Sequence, residues 1–568
     1  MENSEIARVF GRIADLMEIK GENRYKILAY RRASEIIPTF PERLKELSLK
    51  ELVALQGIGQ ALADKIQELN ASGRLAFLEN LEHEVPPTLI DILSVPDVGP
   101  KKVSLFWKQA GVTTLADLDK AARAGKLRAL PGMGEKSEAR ILAGIQSLRI
   151  ALKRLPVHEV SPLADEWLAR LKSGPFIRQL AVAGSLRRGR ATIGDLDLVG
   201  STDSFREAMD FFITQPGIQD VVSRGEFKSS VRLDGGLNMQ LWLQPDERFG
   251  SLLQFVTGSK AHNVRLREFA LKQGLSLSER GFVGQDLRET LCAEEENVYR
   301  RLSLPFIAPE MREDLGEIEA ASAGPLPVLP ANEDLSADLH LDGGSWREKG
   351  HLLDLGRAAR ADGLSTVCFM ITLPGGPPLQ DKSEYAGFLQ TLSQARAELV
   401  SMSILSGLEL VLRSENGLLK NNELFSSFDL VSARVYASSA ATAEELTTLM
   451  MKTVVEASIR LFSVHADDEA GAARVAGMDW DRILQTAGKR ALALEVSGRD
   501  LHLGPDEAVL KLAARYNVPL SITSRASSPA QLADRRFALD FARRAWLTAE
   551  NILSTWDVQR LAAWLERA

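Results

Sequence analysis

Gly184-Ser185-Leu186-Arg187-Arg188-Gly189-Arg190-Ala191-Thr192-Ile193-Gly194-Asp195-Leu196-Asp197 is the stretch from which this fold can be read. An Asp-x-Asp pair on a strand puts both carboxylates on one face. Two such carboxylates make an oxygen-rich seat for Mg²⁺ or Mn²⁺, and divalent cations clamp the attacking and leaving oxygens in phosphoryl transfer. The Gly184-Ser185 turn offers backbone N–H groups and a hydroxyl to a triphosphate, and Arg188 offers a cation. The flanks alternate like strands. QLAVAGSLRR runs from 179 to 188, and FKSSVRLDGGLNMQLWLQP (227–245) reads as a hairpin turning at Asp234-Gly235-Gly236. Residues 250–275 return to a helical pattern.

The chain has 568 residues, enough for several domains, with ordinary hydrophobic (45%) and charged (26%) content. Its two cysteines, Cys292 and Cys368, lie far apart. That excludes a disulfide scaffold and a cysteine zinc site, and leads us to expect a cytoplasmic protein. The start, MENSEIARVF, has no apolar signal core, and no apolar run reaches the ~18 residues of a membrane span. Net charge is −7. Its distribution is uneven: residues 1–153 hold 23 Lys+Arg against 20 Asp+Glu, and residues 319–568 hold 25 against 32. With no strong basic stripe, any DNA contact has to be local and geometric.

Upstream, residues 4–35 read as amphipathic helix, broken at Pro38 and Pro41. Then three segments repeat one pattern: LQGIGQALADKI (55–66), VPDVGPKKV (95–103) and LPGMGEKSEARI (130–141). A Gly-apolar-Gly turn before a helix exposes consecutive backbone N–H groups at the helix N-terminus, where the dipole favours phosphate. Gly57, Gly59, Gly99, Gly132 and Gly134 are therefore candidate DNA contacts that position a duplex without reading its sequence. In the middle copy Asp97 replaces the first glycine, and its charge opposes phosphate. Lys65, one turn into the first of these helices, could form a Schiff base with an abasic sugar, or simply be a solvated lysine. Downstream, residues 319–334 (EAASAGPLPVLPANED) read as a linker. After them TVCFMIT, SILSGLELVL, FDLVSARVY, LALEVSG and PLSIT alternate with helical stretches, which favours an α/β layer or barrel.

Taken together, these motifs resemble the bacterial family X DNA polymerases, which are similar to DNA polymerase beta. GSLRRGRATIGDLDLV resembles their palm motif and FVTGSKAHNVRLRE (255–268) their thumb motif. ENRYKILAYRRA (22–33) and the hairpins resemble their lyase and fingers domains, and the C-terminal region resembles the PHP domain of bacterial members. The resemblance implies a multidomain layout: a helical lyase-like domain over 1–80 and a helix-hairpin-helix fingers domain over 81–153. An α+β nucleotidyltransferase palm over 154–246, a thumb over 247–318 and a linker over 319–335 follow. A PHP-type, distorted TIM-like barrel over 336–568 closes the chain. It also implies roles. Gly184, Ser185, Arg188 and Gly194 hold the triphosphate, and Asp195 and Asp197 bind Mg²⁺ or Mn²⁺. Asn263 contacts the incoming base and Arg267 the templating side. Lys65 is the lyase nucleophile and Tyr30 lies near the 5′-phosphate. The family's hairpin lysine is absent, since Ala61 stands there. The implied partners are gapped or nicked DNA and a deoxynucleoside triphosphate, with a monomeric chain and no membrane.

Two departures qualify the implied activity. The third catalytic aspartate of the family falls on Gln240. A neutral amide is a poor metal ligand and cannot act as a general base, and losing such a base costs ~10²–10⁴ in rate. Asp234 sits in the hairpin turn, too far away to substitute. The PHP-like region keeps few ligands. His340, Glu409 and His465 stand in plausible positions with Asp342 as a substitute, while Thr372-Leu373-Pro374 and Ser524-Arg525-Ala526 replace ligand segments. We therefore expect gap-directed DNA polymerase chemistry of reduced power and a barrel without metals or exonuclease activity. The alternatives are a non-catalytic gap- or end-binding repair protein, or a lyase-only protein using Lys65.

Overall fold

The computed structural model describes residues 3–566, apart from 38–39, 41–43, 56, 96, 153, 349, 374–381, 414–421, 439–440 and 457. Two compact units result, Met1–Lys153 and Arg154–Ala568.

Among its described residues the first unit has helices and no strand. The segment read as one helix over 4–35 is two, Asn3–Lys20 and Arg24–Ile36. Gly21 turns the chain at φ +89°, a conformation cheap only for glycine. The Asn23 side chain caps the second helix by accepting from Tyr25 N at 2.9 Å. Ile6, Phe10, Ile13 and Met17 bury the apolar face of the first helix. The three repeats are hairpins of one geometry. Gly57, Asp97 and Gly132 all take left-handed φ values of 88°, 63° and 73°. Gly59 and Gly99 then cap the helices Gln60–Ser72 and Pro100–Ala110, and Gly134 precedes Glu135–Leu152. Aspartate is one of the few side chains that tolerates this conformation, so the middle copy keeps the turn.

In the second unit a five-stranded sheet comes first. Its spatial order is Leu180–Val182, Asp195–Ser201, Asn238–Gln244, Lys228–Leu233, Ile218–Ser223. Strand alternation buries Leu196 and Leu198 under the helices and leaves Asp195 and Asp197 on the opposite face. The strand Asn238–Gln244 buries Met239, Leu241 and Leu243 and leaves Gln240 and Trp242 on that same open face. Asp234 and Gly235 form the hairpin turn. Helices Phe249–Thr257 and Lys260–Lys272 follow, packed with a small three-stranded sheet and the helix Glu295–Arg301.

The segment read as a linker is largely built into the fold. The helix Glu317–Ala323 occupies its start, and Leu326 and Leu329 pack on the preceding core. Beyond it seven parallel strands lie side by side in chain order, from Ala337–Asp342 to Leu520–Thr523. Ser524 ties the last strand to the first by donating its N–H and hydroxyl to the Asp338 carboxylate at 3.0 and 2.6 Å. The result is a nearly closed parallel barrel with helices outside. Both cysteines are buried and free, and among the described residues no helix is long and apolar enough to cross a membrane.

Candidate functional site

A cleft of about 820 Å³ opens between the five-stranded sheet and the helix pair after it. Gly184, Ser185, Arg188, Asp195, Asp197, Asn263 and Arg267, each singled out from sequence, all line it. Gly184 sits at φ +60°, and a Cβ there would run into the Asp197 carboxylate. The Gly-Ser turn is thereby pressed against the acid pair. The Ser185 hydroxyl is buried and without a hydrogen-bond partner among the described residues, a donor held for a ligand. Gly194 lets Arg154 approach, since a Cβ would lie 3.0 Å from its Nη1. Asn263 is held by both ends of its amide: Gln254 Nε2 donates to its Oδ1 at 2.9 Å, and its Nδ2 donates to Phe255 O at 2.7 Å.

Burial pushes the Asp197 carboxyl up to about 7, and the like charge of Asp195 adds to the shift against Lys228 and Arg188. A hard divalent cation between the two acids would relieve that repulsion, and with the waiting hydroxyl the donor set fits one such ion. The parallel register places Gln240 directly beside Asp197. Its Nε2 donates to Asp195 Oδ2 at 3.2 Å. The amide therefore faces the acids and presents a donor N–H to Asp195, where a cation would want a lone pair.

Several cleft residues escaped the sequence reading. Arg154, Arg190 and Lys260 bring three more cations, Trp242 contributes apolar wall, and Glu313 contributes an acid. Arg190 lies inside the quoted palm-like motif and so could have been suspected, but Glu313 comes from far along the chain. The two adjacent arginines also part company. Arg187 grips Glu295 with contacts of 2.8 and 2.6 Å, and the fully buried Arg312 joins them at 2.6 Å. Arg188 turns toward the cleft and donates to Glu313 Oε1 at 2.9 Å.

In the helical unit, a Cβ on Gly59, Gly99, Gly132 or Gly134 would meet nothing within 4 Å, whereas one on Gly57 would collide with Ile36. Packing thus explains Gly57, and the outward face of the others is open to a backbone phosphate. Asp97 Oδ2 lies 3.9 Å from Arg140 Nη1, which offsets part of its charge. Lys65 Nζ sits 5.1 Å over the Phe77 ring and donates to Ala61 O at 3.3 Å. Tyr30 departs from expectation. It is buried between Phe10 and Phe77, with ring centroids 5.6 and 5.9 Å away, so it serves the core rather than a displayed phosphate contact.

Residues 1–75 match the family described as a helix-hairpin-helix domain, residues 89–147 the SAM-like helix-hairpin-helix tandem, and residues 252–313 the DNA polymerase beta thumb. Over the full length of both chains the protein is 26% identical to "DNA polymerase/3'-5' exonuclease PolX" of Bacillus subtilis (strain 168). It is 24% identical to DNA polymerase lambda of Rattus norvegicus over 53% of this chain and 54% of that one. With DNA polymerase lambda of Arabidopsis thaliana it shares 31% identity over 35% of this chain and 34% of that one. These matches support the resemblance to the bacterial family X DNA polymerases read from the sequence.

In that light the barrel interior differs from the sequence expectation. Among the described residues, the ligand atoms that converge within 4.8 Å of one another belong to His340, Glu409 and Glu495. His465 is not in the group; its ring stands edge-on to Tyr436 at 5.3 Å. Asp342 instead receives Gly344 N at 2.8 Å and the Ser345 hydroxyl at 2.9 Å. Glu495 was missed because its strand reads as plain core. Both glutamates already have cations. Arg525 Nη2 reaches Glu409 at 2.7 Å and Glu495 at 2.6 Å, and Arg434 Nε lies 3.1 Å from Glu409. Burial would lower the His340 pKa, but Glu495 and Glu409 outweigh it and raise it. Two guanidiniums placed on two carboxylates leave no net negative charge to draw a metal cluster, so this donor set does not fit one. Pro374 lies outside the described residues.

Proposed function

We propose that this chain is a nucleotidyltransferase of the family X type that binds gapped DNA and holds a deoxynucleoside triphosphate with a divalent cation at Asp195 and Asp197. The observation that carries the reading is the cleft itself. An acid pair, an unpartnered hydroxyl and the cations Arg154, Arg190, Lys260 and Arg267 converge on one space of nucleotide size. Asp195 and Asp197 would hold the ion, which supplies charge stabilisation for the transferring phosphoryl group. Ser185 and the cations would hold phosphate oxygens, Arg188 once it turns from Glu313. Asn263, fixed at both ends, would border the base. The open glycines of the hairpins would seat the duplex backbone on either side of a gap.

Gln240 favours a second reading, in which the same cleft binds nucleotide without adding it. Its amide already donates to Asp195 and offers no base to a primer hydroxyl. In neither reading does the barrel act as an exonuclease, because its acids are bridged by Arg434 and Arg525. The deciding experiment is nucleotide binding and single-nucleotide extension on a 5′-phosphorylated one-nucleotide gap with Mg²⁺ or Mn²⁺. Slow extension supports a weakened polymerase. Tight gap and nucleotide binding without extension supports the second reading, and failure to bind any nucleotide overturns both.

A further inference from the structure

The nucleotide cleft does not end at the palm. The helix Arg535–Arg544 of the C-terminal barrel reaches its back wall. Gly189, at φ +64°, allows this approach, since a Cβ there would come 2.7 Å from Asp540 Cβ. The last residue of that helix, Arg544, is almost wholly buried, with 3% of its side chain exposed. Its Nη1 donates to the Arg188 carbonyl at 2.8 Å and to Glu313 Oε1 at 2.9 Å, and its Nε donates to Glu507 Oε1 at 2.7 Å. Glu313 Oε1 is the same oxygen that receives Arg188 Nε. Arg190 Nη1 stands 4.0 Å from Glu313 and 3.9 Å from Glu507.

We infer that Arg544 is a positioning residue for the nucleotide cleft: it offsets the charge of Glu313, so that Arg188 is free to turn to a triphosphate. The inference rests on the reading of this cleft as a nucleotide site. Its logic is a charge count. Arg188, Arg190 and Arg544 give three positive charges, and Glu313 and Glu507 give two negative. The cluster keeps a surplus cation for phosphate oxygens only while Arg544 is present. Without it the count falls to two against two: Glu313 keeps Arg188 and Arg190 to itself and, in the low dielectric of the cleft, repels a phosphate that competes for them. Burial raises the Glu313 carboxyl, but Arg188 and Arg544 outweigh it and keep it below its usual range. It is therefore ionised at neutral pH and in need of that partner. The barrel, whose own acid cluster is self-neutralised, thus serves the palm.

The test measures dATP–Mn²⁺ affinity of the full chain by calorimetry, with gapped-DNA affinity and a thermal melt as controls. Arg544→Met should weaken dATP about tenfold, in the range of ordinary coupling between sites, with gap binding within about twofold of wild type. Adding Glu313→Gln to Arg544→Met should restore the affinity, because the repelling charge is gone. A merely structural arginine would show no such rescue. Glu313→Gln alone should tighten dATP, and this arm decides the matter if Arg544→Met does not fold. Unchanged affinity in Arg544→Met, no rescue in the double variant, or weaker binding in Glu313→Gln would each overturn the inference. A wild type that binds no dATP removes the reading on which it rests, a different failure from a wild type that binds and ignores Arg544.

Discussion

Replacing Gln240 by aspartate should restore chemistry to the cleft, and the structure says at what cost. In the wild type the side-chain amide donates to Asp195 at 3.2 Å and stands in register with Asp197. Gln240→Asp exchanges that donor for a third carboxylate. Two unit charges about 4 Å apart at an effective dielectric of about 20 repel by about 4 kcal/mol. The metal-free variant should therefore be less stable than wild type above neutral pH, and Mn²⁺ should recover most of the loss. With the ion present, the new carboxylate can take the primer hydroxyl proton, and a recovered general base raises the rate by ~10²–10⁴. Gln240→Glu keeps the original length and should gain less, because its carboxylate crowds Asp195. The assay is single-turnover extension on a 5′-phosphorylated one-nucleotide gap, with rapid quench, for the three chains side by side. A wild type already as fast as Gln240→Asp would refute this account of Gln240. So would a variant whose metal-free stability matches wild type and whose rate shows no gain.

Asp197 should impose a pH dependence on the cation. Pushed up to about 7, it keeps its proton in the folded chain between about pH 4 and 7, where the unfolded chain has lost it. Its contribution to stability therefore falls as pH rises through that window. Mn²⁺ affinity should rise by up to tenfold per pH unit below 7 and level off above, as followed by electron paramagnetic resonance, and a flat profile would contradict it. Among the hairpins, Gly134→Ala should leave the melt unchanged and weaken gapped-DNA binding several-fold, because its Cβ meets only open space. Gly57→Ala should instead destabilise the fold by more than about 1 kcal/mol, from a strained φ and the clash with Ile36, and equal melts for the two would discount the distinction. In the barrel, Arg525→Ala takes the shared guanidinium from two buried glutamates, leaving Arg434 on Glu409 and His340 beside Glu495, and should cost about 3 kcal/mol of stability in a urea titration. Added Mn²⁺ or Zn²⁺ should stabilise that variant but not the wild type, and metal bound stoichiometrically by the wild type would reverse our view of this site.

Much of this could be read along the chain because the signals were local and periodic. Strand alternation put Asp195 and Asp197 on one face, and the family resemblance pointed to Gln240 on the neighbouring strand. The repeated turn before a helix located three hairpins, even where Asp97 replaces glycine. Other readings failed where packing decided the outcome. Tyr30 carries a polar tip, yet the rings of Phe10 and Phe77 take it into the core. The Ala- and Pro-rich run after 318 suggested a linker, yet Leu326 and Leu329 found a core to join. Glu495 stood in an apolar strand with nothing local to mark it.

By itself the sequence determined the kinds of element and the faces their side chains take, because each depends on spacing within a few residues. Only the tertiary structure decided which charges meet. Adjacent Arg187 and Arg188 went to Glu295 and Glu313. Arg544 came to the same cleft from the barrel. Arg434 and Arg525 settled on the acids that metals would need. Ion pairs between residues on separate elements, tens to hundreds of positions apart, are set by how whole elements pack, and no local period records that.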